Sequence, residues 1–387
     1  MLTVIPMTDG VQLAFKNFYE DYRKLYHPSP NQNSAAYAII RCKSGLLGVN
    51  AAICTQCGHI EFHNNSCRNR NCPSCQSVPR EIWIDNRSSE IIDASYYHVV
   101  FTVPFELNDI FYANQSLLYS LFHKAVSKTL LQLSRDEKFL GATPGIIQVL
   151  HTWGQALNFH PHIHCIVTGA GLTKLNRFIK GRDGFFVPVQ VLSKVFRGIF
   201  INELQKLFDS GVVNFPCKLV HINSAEAWKD FVKDLYNKEW IPFIKETFNN
   251  FGNAVEYLGR YTHRIAISNS RIVSVSDETV SFSMKDYRDA STKSVTIPGV
   301  EFIRRFLMHI LPKGFQKIRY YGFLNNRFKS RNLALISRIT GKLRSNPRLV
   351  GLSMPDIILA LWNVDIRICP ICNSDSLKQL GAIPLRN

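Results

Sequence analysis

Six of the ten cysteines fall between residues 42 and 75, and this cluster constrains the first quarter of the chain more than any other feature. Cys54-Thr-Gln-Cys57 and Cys72-Pro-Ser-Cys75 are two CxxC pairs separated by 14 residues. Such a pair turns two thiolates toward one ion, and zinc accepts four sulfurs tetrahedrally at about 2.3 Å. Arg68, Asn69, Arg70 and Asn71 between them supply no apolar core, so metal has to hold the segment together. The two pairs are therefore expected to share one structural zinc. Cys42, His59, His63 and Cys67 are left over, as ligands of a second ion or as neighbours that orient the first set. The late pair Cys369-Pro-Ile-Cys372 has the same spacing, and either shares a site across the fold or stands alone.

This clustering points to metal binding in a reducing compartment rather than to a secreted disulfide framework. The opening MLTVIPMTDG has no basic start followed by an apolar run, and no segment reaches the roughly 18 apolar residues of a membrane span. A cytoplasmic protein without membrane association is expected. The formal net charge of +17 favours a polyanion such as nucleic acid. That charge is concentrated: residues 301–350 hold 12 Lys or Arg against one acidic residue, Glu301. Arg319, Arg327, Lys329, Arg331 and Arg338 are the expected phosphate contacts there, joined by Arg68 and Arg70 from the cysteine-rich loop.

Hydrophobic periodicity orders the rest. Residues 13–26 place Phe15, Phe18, Tyr22 and Leu25 on one helical face, after which a polar, proline-containing loop leads to the cysteines. YYHVVFTV reads as a strand, residues 111–134 as a helix, and GIIQVLHTW and IHCIVTGA as two strands paired across a short connection. Helices are expected over 193–210 and 225–247, the latter with an apolar stripe of Trp228, Phe231, Leu235 and Trp240. Three short alternating segments after residue 264 suggest a small meander, followed by a helix over 299–311. With 387 residues, 46% of them apolar, the chain can build more than one core. The order is α+β rather than a repeating βαβ unit.

In Phe159-His160-Pro-His162-Ile-His164 the last two histidines are two apart at the start of a strand. Alternation puts both imidazoles on one side and Ile163 on the other. Two neutral imidazoles facing one way suit a divalent metal with one further protein ligand, for which Gln155, Glu256 and His263 are the candidates. Taken alone, the pair also fits incidental histidines on a surface strand or a zinc hydrolase. His160 is a ligand, an orienting neighbour or a histidine beside a rigid proline; spacing does not choose. Tyr257-Leu-Gly-Arg-Tyr261 puts two tyrosines on one face of a helix, which by itself also describes a core stripe. Gly259 leaves space between the rings, and Arg260 and Arg264 add phosphate-binding charge. A tyrosine hydroxyl titrating near pH 10 needs such a field to attack at neutral pH.

Cys67-Arg-Asn-Arg-Asn-Cys-Pro-Ser-Cys75, His160-Pro-His-Ile-His164 and Tyr257-Leu-Gly-Arg-Tyr261-Thr-His-Arg-Ile-Ala-Ile-Ser268 occur in this order. Together they resemble the landmarks of two-tyrosine rolling-circle (HUH, histidine-hydrophobic-histidine) insertion-sequence transposases with an N-terminal zinc-binding domain. The resemblance spans about residues 15–330. It implies that His162 and His164 hold a catalytic Mg²⁺ or Mn²⁺, that Tyr257 and Tyr261 are the nucleophiles, and that Cys42, Cys54, Cys57, Cys67, Cys72 and Cys75 belong to the zinc module. Histidines common in the family at the positions of Asn50 and Asn71 are absent, which leaves the number of zinc ions open.

The expected architecture is an N-terminal helix and zinc module (1–90), an HUH catalytic domain with a central antiparallel sheet, flanking helices and the tyrosine helix (91–264), and a meander with a basic DNA-binding region (265–387). The implied activity is nicking and joining of single-stranded DNA at element ends through a 5′-phosphotyrosine, with target DNA and host replication and helicase proteins as partners. The chain lacks a GxxxxGK[ST] loop that would power unwinding. Two alternatives remain: a plasmid replication initiator or relaxase of the same chemistry, and a zinc-containing DNA-binding regulator that performs none.

Overall fold

A computed structural model describes residues 9–182, 186–247, 259, 266–286, 289 and 291–383. Helix α1 (Gly10–Leu25) is followed by α2 (Pro30–Arg41), where a connecting loop was expected. The start signal for α2 is local: Ser29 accepts from the Gln32 N–H, the Gln32 side chain accepts from the Ser29 N–H, and Pro30 occupies the first turn. A hairpin of β1 (Val49–Cys54) and β2 (Ile60–Asn64) leads to α3 (Ser77–Ser88).

Next come β3 (Tyr96–Thr102), α4 (Asn108–Ala113), α5 (Gln115–Arg135), β4 (Thr143–Trp153), β5 (Phe159–Leu172), β6 (Phe178–Lys180) and α6 (Val189–Asp209). Helix α7 (Ala225–Asn237) is shorter than expected. Pro242 lacks the N–H that a continuing helix needs, and Phe243–Thr247 instead form β7, an edge strand beside β3. The meander comprises β8 (Ile272–Val275), β9 (Thr279–Lys285) and β10 (Thr292–Pro298), so its third strand lies beyond the segment expected to supply it. Helix α8 (Gly299–Met308), β11 (Ile318–Gly322), α9 (Lys329–Thr340), α10 (Met354–Trp362) and β12 (Leu377–Ile383) complete the described chain.

The central sheet has the order β11-β4-β5-β3-β7, with β6 added to β5, and every pairing is antiparallel. The α+β fold class is thus as expected. One sheet face, through Phe101, Ile163, Cys165 and Val167, joins Phe111, Phe122, Phe196, Phe200 and Trp240 in the largest apolar cluster. The opposite face, through Ile147, Val149 and Ile166, packs on Leu333 and Ile336 of α9 and on Trp83 of α3. A separate cluster joins α1, α2, α8 and the meander. It buries Phe15, Phe18 and Tyr22, whereas Leu25, expected on the same stripe, is exposed at the helix end. Among the described residues no helix is long and apolar enough to cross a membrane.

Candidate metal centres and DNA-processing site

The two cysteine pairs do not converge on one ion. Cys42, Cys67, Cys72 and Cys75 form one sulfur cluster, and Cys54 and Cys57 form another with Cys369 and Cys372. The hairpin explains the split. Its register pairs Ile53 with Ile60 and Val49 with Asn64, so Cys54 and Cys57 lie at its turn, while Cys67 follows the far end of β2, near Cys42. Strands of five and six residues, at about 3.3 Å per residue, hold those ends roughly 15–20 Å apart.

The first cluster fits zinc by its donor chemistry. The Cys75 sulfur lies 3.5 Å from that of Cys42 and 3.6 Å from that of Cys67. Bonds of about 2.3 Å to a tetrahedral ion give sulfur edges of about 3.8 Å, much longer than a disulfide's roughly 2.05 Å. The backbone N–H of Cys67 donates to the Cys42 sulfur and that of Asn69 to the Cys67 sulfur, which favours thiolate character. Each cluster has four sulfurs, so the asparagines at positions 50 and 71 subtract nothing from either. Neither His59 nor His63 joins a cluster; His63 Nε2 faces Glu61 at 3.5 Å.

On the central sheet, His162 and His164 share a face, and a third histidine completes them. His151 on β4 pairs directly with His162 on β5, which brings both side chains to the same side. One ring nitrogen from each of His151, His162 and His164 lies within 4.8 Å of the others. The Nδ1–H of His162 donates to the His160 carbonyl at 2.7 Å, leaving Nε2 with its lone pair for a metal. His160 thus orients His162 through its backbone and is outside the three-histidine set. His164 Nδ1 lies 2.9 Å from Nε2 of His98 on β3, a ring partner that sequence spacing did not single out. Trp153 stacks on His151 with centroids 4.4 Å apart.

Burial pushes His162 down to about 4 and His164 well below the usual histidine range. The imidazoles are therefore neutral at pH 7, the form that ligates metal. Three imidazole nitrogens, on buried His151 and His164 and half-buried His162, fit a divalent transition ion, and suit Mn²⁺ better than the oxygen-seeking Mg²⁺.

Gln155, a candidate third ligand, lies beside the meander. Its carbonyl accepts from Arg271 at 2.6 Å and its side-chain oxygen faces the Lys285 N–H at 3.5 Å. Glu256, Tyr257, Arg260, Tyr261, His263 and Arg264 lie outside the described residues. Gly259, between the two tyrosines in sequence, is described and buried; a Cβ there would stand 2.1 Å from Cγ1 of Ile84 on α3.

Several of the basic candidates, exposed Arg70 among them, make contacts within the chain. Arg70 donates to the carbonyls of Phe315, Leu311 and Pro312, tying the cysteine-rich loop to the approach to β11. Lys329 is bridged to Glu90 at 2.6 Å, and Arg319 donates to Ser120 while lying over the Phe315 ring. Arg68, Arg327, Arg331 and Arg338 are exposed. On α9, Arg331 and Arg338 stand away from Leu333 and Ile336, which bind the helix to the sheet.

Two four-sulfur clusters beside an antiparallel sheet that carries three histidines on one face define an α+β protein with candidate metal centres, and comparison with known proteins gives the family. The family model "Putative transposase" matches residues 145–332, and "Transposase zinc-binding domain" matches residues 14–103. The chain is 40% identical over 370 residues to "Putative transposase y4qJ" of Sinorhizobium fredii (strain NBRC 101917 / NGR234), covering 94% of this chain and 92% of that one. It is 28% identical over 342 residues to "Transposase for insertion sequence element IS801" of Pseudomonas savastanoi pv. phaseolicola, covering 87% and 80%. The chain belongs to the HUH, IS91-type insertion-sequence transposases with an N-terminal zinc-binding domain, enzymes that act on DNA. No solved structure matches it.

Proposed function

We propose that this transposase nicks and joins single-stranded DNA at the ends of its element through a 5′-phosphotyrosine, driving rolling-circle transposition. The observation that carries this reading is the three-histidine set on one sheet face. Bound there, a Mn²⁺ or Mg²⁺ ion supplies Lewis-acid polarisation and charge neutralisation at a phosphoryl oxygen. His151, His162 and His164 would hold that ion, with His160 and His98 orienting two of the rings.

Tyr257 or Tyr261 attacks the scissile phosphorus. The tyrosine O–P bond forms as the bond to the 3′ oxygen breaks, and the phenolic proton is balanced by protonation of the released 3′ hydroxyl. The phosphotyrosine retains the bond energy, so a 3′ hydroxyl can reverse the step on another strand without water. A second tyrosine allows another cleavage while the first link persists. Strand opening falls to host helicase and replication proteins.

Incubation of the full chain and Mn²⁺ with labelled single strands from both element ends, followed by denaturing electrophoresis and peptide mapping, tests the reading. The expected product is a DNA adduct on Tyr257 or Tyr261; its absence with active, metal-loaded protein overturns the proposal.

Gly259 bears on the positioning of the nucleophiles. Gly259→Ala forces its new methyl against Ile84, and misplacement by about 1 Å costs on the order of 10²-fold in rate. Adduct formation should fall about that far and recover in part when Ile84→Ala restores the space; rates measured for the single and double variants check this.

The exposed arginines hold the DNA backbone. Replacing Arg327, Arg331 and Arg338 together with alanine should weaken single-strand binding and reduce the slope of log affinity against log salt by about 2, at roughly 0.7 per lost phosphate contact. An unchanged slope in a salt titration removes these residues from the DNA path. Lys329→Ala should change the slope less, because Glu90 already neutralises it.

A further inference from the structure

We propose that Cys54, Cys57, Cys369 and Cys372 form a second, all-sulfur zinc site, which clasps the C-terminal segment to the N-terminal module. The chain then holds two structural zinc ions, and the second is completed by residues more than 300 positions apart in sequence.

The four sulfurs lie within 4.8 Å of one another. The Cys54–Cys372 and Cys57–Cys369 edges are 3.6 and 3.7 Å, matching the roughly 3.8 Å edge of a tetrahedral zinc tetrathiolate.

The backbone supplies an independent argument. In the first knuckle the Gly58 N–H donates to the Cys54 carbonyl at 2.9 Å, and the Cys54 N–H donates to the His59 carbonyl at 2.8 Å. In the second, the Asn373 N–H donates to the Cys369 carbonyl at 2.9 Å, and the Cys369 N–H donates to the Ser374 carbonyl at 2.7 Å. The residue after each pair has a left-handed backbone, with φ of +73° at Gly58 and +56° at Asn373. Glycine and asparagine are the residue types that adopt this conformation most readily. Two segments remote in sequence have thus been shaped into the same metal-binding turn and set face to face.

Their placement is equally specific. The first knuckle follows β1 and the second precedes β12, and those strands pair from Cys54↔Leu377 to Val49↔Ile383. The Thr55 N–H donates to the Ser376 carbonyl at 3.0 Å, and the Ser374 hydroxyl lies 3.4 Å from the Cys54 sulfur and 3.2 Å from that of Cys372. Apolar packing does not explain the meeting, since Cys57 is exposed and Ile371, between the second pair, is 66% exposed. Four thiols brought together, with Cys54 and Cys369 buried and Cys57 exposed, match the ligand set of one shared cation.

Zinc content of the full chain, purified without chelator, tests the assignment. Wild type should carry one more zinc ion than Cys369→Ser/Cys372→Ser by native mass spectrometry, and the variant should lose hydrogen-exchange protection in β1 and β12. Differential alkylation of wild type needs no variant. All eight clustered cysteines should resist iodoacetamide until a chelator is added, while Cys217 reacts throughout. An equal zinc count in wild type and the double variant, free alkylation of Cys369 and Cys372, or a mass showing them in disulfides would each overturn the proposal.

Discussion

His151→Ala should weaken Mn²⁺ binding by at least about 100-fold and abolish cleavage at micromolar metal, while Gln155→Ala leaves both near wild type. Loss of a residue that merely orients a metal ligand costs 10–100-fold in affinity, so loss of a ligand sets the lower bound there. The contrast follows from register: His151 is the direct cross-strand partner of His162, whereas Gln155 lies past the end of β4 and is bonded to the meander side. Calorimetric titration with Mn²⁺ and a cleavage assay measure the two variants side by side. His151 is only 2% exposed, so its removal also costs stability, and thermal denaturation must show the variant folded at the assay temperature. Equal losses in the two variants would reassign the third ligand. The nitrogen-rich set further predicts faster cleavage with Mn²⁺ than with Mg²⁺ at equal low concentration.

Tyr257→Phe/Tyr261→Phe should eliminate the covalent DNA adduct, a fall of at least about 10⁴-fold, with little change in DNA affinity. Phenylalanine keeps the ring and removes only the attacking oxygen, and nucleophile removal has effects of this order in other enzymes. The single variants separate the roles. One should lose the first cleavage, whereas the other should form the first adduct but fail to cleave again while it persists. Adduct yield on one-site and two-site single-stranded substrates reads both. An undiminished adduct in the double variant would place the nucleophile elsewhere. A zinc-containing regulator without chemistry predicts no adduct even from wild type. A replication initiator or relaxase would give the same adduct on a different DNA end.

The parts legible in the sequence were those encoded over a few residues. The CxxC spacing, the strand alternation that puts His162 and His164 on one face, and the apolar runs of β3, β4 and β5 need no knowledge of distant chain. The capping box of α2 is equally local, in Ser29, Pro30 and Gln32, although the polar, proline-containing stretch that holds it predicts a loop. His151 lay in plain view within an expected strand, but its role depends on which residue of β5 it faces. A slip of one residue would turn it to the other side of the sheet.

Residue identity and short spacing thus determined the ligand types: thiolates in pairs, imidazoles two apart and a concentration of positive charge near the C-terminus. Only the tertiary structure decided which ligands meet. The rigid hairpin of β1 and β2 carries Cys54 and Cys57 away from Cys72 and Cys75, and β12 returns from the other end of the chain to bring Cys369 and Cys372 to them. Arg70 and Lys329, expected phosphate contacts by their charge, are also bonded within the chain, because folding placed carbonyls and Glu90 within their reach. Coordination and ion pairing act over a few ångströms, and that proximity is set by long-range strand pairing and packing rather than by separation along the chain.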